Sequence, residues 1–182
     1  MSIALLLIDI QNDYFPGGTM ELAHATAAAT AASALLEAFR ARKLPVVHIQ
    51  HLAVRAGATF FLPGTAGAEI HASVRPLPGE TVFQKHFPNS FRQTPLLEHL
   101  RRTNISRLVI AGMMTHMCID TTTRAASDLG FSCLLAHDAC ATRALTFNGQ
   151  QVSAENVQTA FLAALNGLFA RVMSSSEILA EL

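Results

Sequence analysis

The sequence lacks an excess of charge of either sign, since its 13 lysines and arginines balance its 13 aspartates and glutamates. Without a basic excess or a basic amphipathic segment, it offers no obvious surface for nucleic acid or for a membrane. Cysteine is also scarce: the sequence has three, an odd number, and we expect no secretory leader. We therefore expect reduced thiols in a cytoplasmic protein rather than a disulfide framework.

Long hydrophobic runs are absent too, although 51% of the residues are hydrophobic. The N-terminal run, Ile3–Ile8, is too short to span a membrane and leads directly into Asp9. It has no basic segment before it, so it predicts a buried strand rather than a signal peptide. We find no low-complexity tract and no clear internal repeat. At 182 residues the chain predicts a single domain, residues 1–182, with a sizeable core.

Strand-like and helical patterns alternate along the chain. Short apolar runs typical of buried strands occur at residues 3–8, 46–50, 81–84, 107–111, 131–136 and 169–173. Helical patterns cover residues 23–42, 94–102, 119–129 and 153–168, and a capping box of Ser174 and Glu177 begins a final turn. This alternation predicts an α/β fold in which a parallel sheet carries helices on both faces.

Three reactive residue types follow three different predicted strands. Asp9 follows the first strand, Lys85 the third and Cys118 the fourth. Open parallel sheets bind ligands outside the carboxyl ends of their strands, where the strand order reverses. The sequence therefore predicts a site that combines these three side chains.

Cys118 lies between a buried-strand pattern and a helical pattern. The positive end of a helix dipole and its unpaired N–H groups lower the pKa of a nearby thiol. We therefore expect Cys118 to be substantially thiolate near neutral pH, although cysteine is more often a small core residue. Cys133, inside the fifth predicted strand, and Cys140, in the loop after it, are interpreted as structural.

Three motifs resemble those of the isochorismatase-like cysteine hydrolases, which include nicotinamidases and other amide hydrolases. They are Asp9-Ile-Gln-Asn-Asp-Tyr-Phe15, Lys85 with Asn89-Ser-Phe91, and Gly112-Met-Met-Thr-His-Met-Cys118. The resemblance implies a three-layer α/β/α, Rossmann-like fold with a six-stranded parallel sheet. It also implies a catalytic triad of Asp9, Lys85 and Cys118.

Further site features follow from the same resemblance. It implies a non-proline cis peptide at Met113–Met114 and an oxyanion hole formed by the backbone N–H groups of Met114 and Cys118. The expected substrate pocket comprises Gln11, Phe15, His86, Phe91 and His116. Gln11 could instead belong to a turn or contact the catalytic residues without touching substrate. Phe15 and Phe91 could equally belong to the core, and His116 could simply orient its loop. The long loop 51–80 and the segment 143–151 are expected to shape the pocket.

Metal and cofactor binding are not expected. Nicotinamidases of this family carry an Asp-x-His metal motif after the second strand, but the corresponding segment here reads Gln50-His-Leu-Ala-Val-Arg55. His51, His71 and His86 could still form a ligand set, although scattered histidines seldom do so. We therefore predict no bound metal and no cofactor.

Three functions are compatible with the sequence. The first is a cysteine hydrolase that cleaves a C–N bond of a small amide through a Cys118 thioester. The second is an isochorismatase-type vinyl-ether hydrolase that uses Asp9 and Lys85 without covalent chemistry. The third is a non-catalytic small-molecule-binding module, because fold alone does not fix function. The expected partners are a small-molecule substrate and further copies of the chain, in a homodimer or homotetramer.

Overall fold

The computed structural model describes residues 2–182 and contains a six-stranded parallel sheet. The strands of the chain are β1 Ser2–Ile8, β2 Val46–His51, β3 Thr81–Lys85, β4 Ile105–Met113, β5 Ser132–Ala141, β6 Leu145–Phe147, β7 Gln150–Val152 and β8 Arg171–Met173. In the large sheet the order is β3-β2-β1-β4-β5-β8. The predicted α/β fold class with a six-stranded parallel sheet is confirmed.

Within residues 2–182, five α-helices cover the two faces of this sheet. They are α1 Ala25–Ala41, α2 Leu96–Arg102, α3 Asp120–Asp128, α4 Ala154–Leu165 and α5 Ser175–Ala180. Side chains of α1 and α5 share one apolar cluster with Leu5 and Leu7 of β1. Those of α2, α3 and α4 share the other cluster with Leu6 and Ile8. Successive residues of a strand point to opposite faces, so the continuous apolar run of β1 serves both layers.

Strand β5 is longer than its sequence predicts. Leu135 pairs with Ile110, whereas Cys140 pairs with Gly112, so a bulge in β5 separates the two pairs. The bulge contains Asp138, whose carboxylate accepts hydrogen bonds at 2.7 Å from both the backbone N–H and the hydroxyl of Ser175. Because the bulge contains polar residues, the sequence pattern predicted that the strand ends there. Cys140 therefore lies in β5 and not in the loop predicted for it.

Two further local features differ from the sequence-based expectation. The segment 143–151, expected only to shape the pocket, is largely an antiparallel hairpin formed by β6 and β7. The helix predicted to start at Ile119 starts at Asp120, after a single π-helical turn over Thr115–Ile119. The capping box of Ser174 and Glu177 is present at the start of α5.

Between β2 and β3 the chain is irregular, apart from two short 3₁₀ turns at Ala66–Ala68 and Ala72–Val74. This long excursion crosses the carboxyl end of the sheet, where Asn12 N donates to Glu69 O at 3.0 Å and His71 N donates to Ile10 O at 2.9 Å. Within residues 2–182, no helix is both long enough and apolar enough to cross a membrane.

Candidate active site

The strand order brings Asp9 and Cys118 to the ends of neighbouring strands, β1 and β4. Lys85 ends β3, which is separated from β1 by β2. Its stem nevertheless reaches the centre of the sheet edge, where Lys85 Nζ lies 2.7 Å from Asp9 Oδ2. Both side chains are completely buried, so this is an ion pair enclosed by protein.

A glycine allows the ends of β1 and β4 to approach closely. Gly112 has φ +138°, and a Cβ added to it would collide with the carbonyl oxygen of Ile8. A side chain here would therefore push β1 away from β4. Asp9, directly after Ile8, itself has a left-handed conformation with φ 53° as the chain leaves the strand.

Cys118 lies on the wall of a cavity of about 300 Å³. The thiol comes from the π-helical turn that follows β4, and the side chain is only 4% exposed. The cavity is lined by Tyr14, His51, Ala53, Val54, Arg55, Ala58, Phe60, His86, Phe87, Pro88, Met114, Met117 and Cys118. Most of these residues are apolar, so the cavity suits a small organic molecule.

The ammonium of Lys85 is held by four acceptors. Besides Asp9, these are His51 Nδ1 at 3.2 Å and the carbonyl oxygens of Phe87 at 3.2 Å and Pro88 at 3.3 Å. Burial alone would lower the pKa of Lys85, but the negative charge of Asp9 and the hydrogen bond to it help to raise that pKa above its ordinary value. Lys85 therefore remains a cation opposite the Asp9 carboxylate.

The structure does not support the expected resting thiolate of Cys118. Burial, followed by the negative charge of Asp9, raises the pKa of the thiol, and the nearby Lys85 only partly offsets this. Since Asp9 and Lys85 already balance each other, a thiolate would add an uncompensated buried charge. Cys118 therefore rests as a neutral thiol, and the helix-start effect predicted from the sequence is outweighed by burial.

His51 is a further member of this cluster, which the sequence suggested only as a possible metal ligand. A carboxylate oxygen of Asp9, a ring nitrogen of His51 and the sulfur of Cys118 all lie within 4.8 Å of one another. Burial lowers the pKa of His51 to about 4, so the imidazole is neutral at neutral pH. Because Lys85 can only donate, Nδ1 of His51 is the acceptor of their contact, and Nε2 carries the proton.

Two polar side chains that follow β1 are hydrogen-bonded to the backbone of the segment at and after the end of β2. Gln11 donates to the carbonyls of His51 at 2.9 Å and Ala68 at 2.8 Å, and accepts from His51 N at 2.7 Å. Asp13 accepts from Phe61 N at 2.6 Å. The side-chain amide of Gln11 is thus fully engaged in hydrogen bonds to the protein backbone. Gln11 does not line the cavity, although we expected it in the substrate pocket.

The other residues expected in the pocket are spread over several places. His86 lines the cavity and donates from Nδ1 to the carbonyl of Leu52 at 2.8 Å. Phe15 stacks on His71 at 3.7 Å, Phe91 stacks on Phe131 at 6.1 Å, and His116 Nδ1 lies 2.6 Å from Thr142 Oγ1. None of Phe15, Phe91 and His116 lines this cavity, because each packs against a neighbour in the surrounding structure.

The histidines suggested as a ligand set are not brought together, since His71 packs on Phe15 whereas His51 faces Asp9 and Cys118. The group of Asp9, His51 and Cys118 combines oxygen, nitrogen and sulfur ligands that could suit a metal ion. However, the Lys85 ammonium contacts both Asp9 and His51, so it already supplies the positive charge there. The residues present therefore fit a buried ammonium better than a metal ion.

The peptide bond between Met113 and Met114 is cis. It lies between the end of β4 and the π-helical turn that carries Cys118. The role of the Met114 and Cys118 N–H groups as an oxyanion hole stays a prediction. Tyr14 is a cavity residue that the sequence-based pocket omitted, although it stands in the Asp9–Phe15 motif next to Phe15.

Comparisons with known proteins agree with this architecture. The family profile "Isochorismatase domain" matches residues 3–177. The chain is 50% identical to the uncharacterized isochorismatase family protein YddQ of Bacillus subtilis, over 98% of this chain and 99% of that protein. It is 34% identical to the secreted isochorismatase effector Isc1 of Verticillium dahliae, over 96% of this chain and 88% of that protein.

Solved structures give the same result. A protein from Oleispira antarctica described as an isochorismatase hydrolase superposes with a TM-score of 0.95 and 51% identity, over 98% of this chain and 96% of that chain. Partial matches include a streptothricin hydrolase of Streptomyces noursei, 33% identical over 76% of this chain and 49% of that protein. Others are a ureidoacrylate amidohydrolase and a nicotinamidase, each covering less than half of this chain. The chain therefore belongs to the isochorismatase family of hydrolases.

Proposed function

We propose that this chain is an amidohydrolase that cleaves a non-peptide C–N bond of a small amide through a thioester on Cys118. One observation carries the proposal: the Cys118 thiol lies on the wall of a small apolar cavity, within 4.8 Å of the Asp9 carboxylate. A nucleophile next to a base, with the base oriented by a third group, is the arrangement that covalent hydrolysis needs. Lys85 is that third group, since its ammonium holds Asp9 at 2.7 Å.

The acylation step makes one bond and breaks another. Asp9 takes the proton of the neutral Cys118 thiol as the sulfur attacks the carbonyl carbon of the substrate. The carbonyl oxygen becomes an oxyanion, for which the backbone N–H groups of Met114 and Cys118 are the proposed donors. When the C–N bond breaks, Asp9 returns its proton to the leaving nitrogen, and the acyl group remains on the sulfur.

Deacylation uses the same base. Asp9 removes a proton from water, the water oxygen attacks the thioester carbon, and the C–S bond breaks. The sulfur regains a proton from Asp9, and the carboxylic acid leaves. Lys85 keeps its charge throughout, so Asp9 alone carries the proton between thiol, leaving nitrogen and water.

Relatives support this choice of reaction. The names of the ureidoacrylate amidohydrolase and the nicotinamidase refer to amide hydrolysis, and the streptothricin hydrolase is a further hydrolase. Their matches to this chain are partial, so they support the reaction class and leave the substrate open. The cavity of about 300 Å³ favours a substrate of small size.

The test is ammonia release from a panel of small primary carboxamides by the purified protein. We expect equimolar ammonia and carboxylic acid, and an acyl adduct on Cys118 in mass spectra of the quenched reaction. Cys118→Ala should release none, whereas Cys133→Ala, which removes a buried thiol in β5, should keep the wild-type rate. Wild-type hydrolysis by Cys118→Ala would rule out the covalent mechanism.

The alternative is vinyl-ether hydrolysis with Asp9 as the acid, supported by the name of the 34% identical isochorismatase effector. That reaction needs no thiol nucleophile. It therefore predicts that Cys118→Ala keeps activity towards a vinyl ether such as isochorismate, while Asp9→Asn loses it. The position of Cys118 beside Asp9 makes the amide reaction our first choice.

A further inference from the structure

Besides Tyr14, three polar side chains line the cavity beside Cys118, namely His51, Arg55 and His86. Asp9 is paired with Lys85, and His86 Nδ1 is bonded to a backbone carbonyl. Most of the lining consists of aliphatic, aromatic and methionine side chains. A polar group that lies here without a protein partner therefore has a strong effect on which ligand fits.

Tyr14 supplies such a group. Its side chain is 1% exposed, and its ring packs against Phe61 at 4.5 Å and Phe60 at 6.0 Å between centroids. Its hydroxyl makes no hydrogen bond to any atom of residues 2–182. The hydroxyl oxygen is not completely enclosed by protein atoms. Because Tyr14 lines the cavity, the hydroxyl is accessible from it.

An unpartnered hydroxyl in this position is costly unless a ligand or water bonds to it. Buried polar groups are almost always hydrogen-bonded, and leaving one unsatisfied costs stability. The aromatic packing fixes the ring, so the hydroxyl cannot swing out to bulk water as a surface tyrosine does. The phenol is thus pre-positioned to bond to whatever occupies the cavity.

The charge state of Tyr14 sets the kind of partner it can take. Burial raises the pKa of Tyr14 well above its ordinary value, and the negative charge of Asp9 raises it further. The phenol is therefore protonated at neutral pH. A protonated phenol can donate its O–H to an acceptor atom of a ligand in the cavity.

We infer that Tyr14 is a specificity-determining residue: its hydroxyl donates a hydrogen bond to an acceptor atom that the substrate carries beside its scissile carboxamide. This inference rests on the amide hydrolysis proposed above. The substrate class is then a small amide with an apolar body and a second acceptor near the carbonyl, such as a ring nitrogen or a second carbonyl oxygen. An amide of the same shape with a C–H group there leaves the phenol unpaired.

Two pairs of amides of matched shape test this inference. Picolinamide has a ring nitrogen beside its carboxamide and benzamide has a C–H group there, while pyruvamide has a carbonyl where isobutyramide has a methyl-bearing carbon. We expect the wild-type protein to prefer picolinamide over benzamide, and pyruvamide over isobutyramide, in kcat/KM. Tyr14→Phe should lower kcat/KM for the acceptor-bearing members by about 10- to 100-fold and leave the others within about twofold.

Tyr14→Phe keeps the ring and its packing on Phe60 and Phe61, so its thermal unfolding temperature should match that of the wild type. A uniform fall in kcat/KM for all four amides, or no fall for any of them, would overturn the inference. A selective fall is not expected from a merely structural role, because damage to packing would affect every substrate.

Binding separates this inference from the proposed reaction. Calorimetric titration of the four amides into Cys118→Ala protein, with and without Tyr14→Phe, measures recognition without chemistry. Tighter binding of picolinamide and pyruvamide that Tyr14→Phe removes supports the role of Tyr14, even if the wild type hydrolyses no amide and the proposed function fails. If Tyr14→Phe leaves binding of both compounds unchanged, the role is wrong, even when the wild type releases ammonia.

Discussion

Asp9 Oδ2 lies 2.7 Å from Lys85 Nζ, with no solvent-exposed surface on either side chain. This contact joins the ends of β1 and β3, which are not neighbours in the sheet. Removing one partner of a buried ion pair leaves the other charge unpaired and typically costs about 3–5 kcal/mol, whereas removing both together costs far less. The effect of this pair on stability can therefore be separated from the catalytic role proposed for Asp9.

Asp9→Asn should lower the free energy of unfolding by about 3–5 kcal/mol and kcat by about 10²–10⁴-fold, because it removes both the counter-ion of Lys85 and the proton acceptor. The double variant Asp9→Asn with Lys85→Met should recover much of the stability and none of the activity. Urea unfolding and ammonia release measure the two quantities. Recovery of activity in the double variant would exclude Asp9 as the base.

The neutral resting state of Cys118 predicts slow alkylation at neutral pH. Since burial and Asp9 raise its pKa, the thiolate fraction should increase about tenfold for each pH unit over the accessible range. Iodoacetamide labelling of Cys118, followed by mass spectrometry from pH 6 to pH 9, should show this rise. Cys133, whose pKa burial raises to about 12, provides an internal comparison. A plateau in the Cys118 rate near pH 7 would show the thiolate predicted from sequence.

His51 should make the folded state less stable in acid. Its pKa is about 4 in the folded protein against an ordinary 6.5, so below pH 6.5 the unfolded chain takes up a proton that the folded one does not. Stability should therefore fall between pH 6.5 and 4, by at most about 1.4 kcal/mol per pH unit from this residue. His51→Asn should flatten that slope in urea unfolding, whereas His24→Asn, at a side chain that is 74% exposed, should not.

Chelation should leave turnover unchanged. The Lys85 ammonium occupies the position where a cation would meet Asp9 and His51, so no metal ion is needed to balance the carboxylate. Dialysis against a strong chelator, with metal analysis of the protein before and after, is the measurement. Loss of activity that zinc or iron restores would contradict this prediction.

Gly112→Ala should inactivate the protein without removing a reactive group. Its Cβ would meet the Ile8 carbonyl and force apart the strand ends that carry Asp9 and Cys118. Gly130→Ala is the matched control, because Gly130 also has a positive φ, yet a Cβ added there would have no neighbouring atom within 4 Å. Equal loss of activity in both variants would show that backbone strain alone, rather than the close approach, explains the effect.

Much of the fold could be predicted because the strands are nearly continuous apolar runs that end at polar residues. Ile3–Ile8 ends at Asp9, and the third strand ends at Lys85, so the sequence also predicts that these side chains share one edge. The bulge in β5 could not be predicted, because the polar residues His137 and Asp138 indicate the end of a buried strand. Only the structure shows that Asp138 is hydrogen-bonded to Ser175.

Details of the site depend on tertiary contacts that the sequence does not show. Phe15 and Phe91 have the composition of pocket residues, but His71 and Phe131 cover them. Tyr14 stands one position before Phe15, and only the turn of the chain decides which ring faces the cavity. The ionisation of Cys118 depends on burial and on the charge of Asp9, neither of which follows from its position before a helix.

The position of Lys85 on β3 has a consequence for the order in which the site assembles during folding. β3 is one of the two edge strands of the sheet, so Asp9 and Cys118 can come together on β1 and β4 before Lys85 arrives. Until β3 docks, the Asp9 carboxylate has no ammonium beside it. If turnover needs Lys85, as proposed, its onset during refolding reports the docking of β3 separately from the formation of the central sheet.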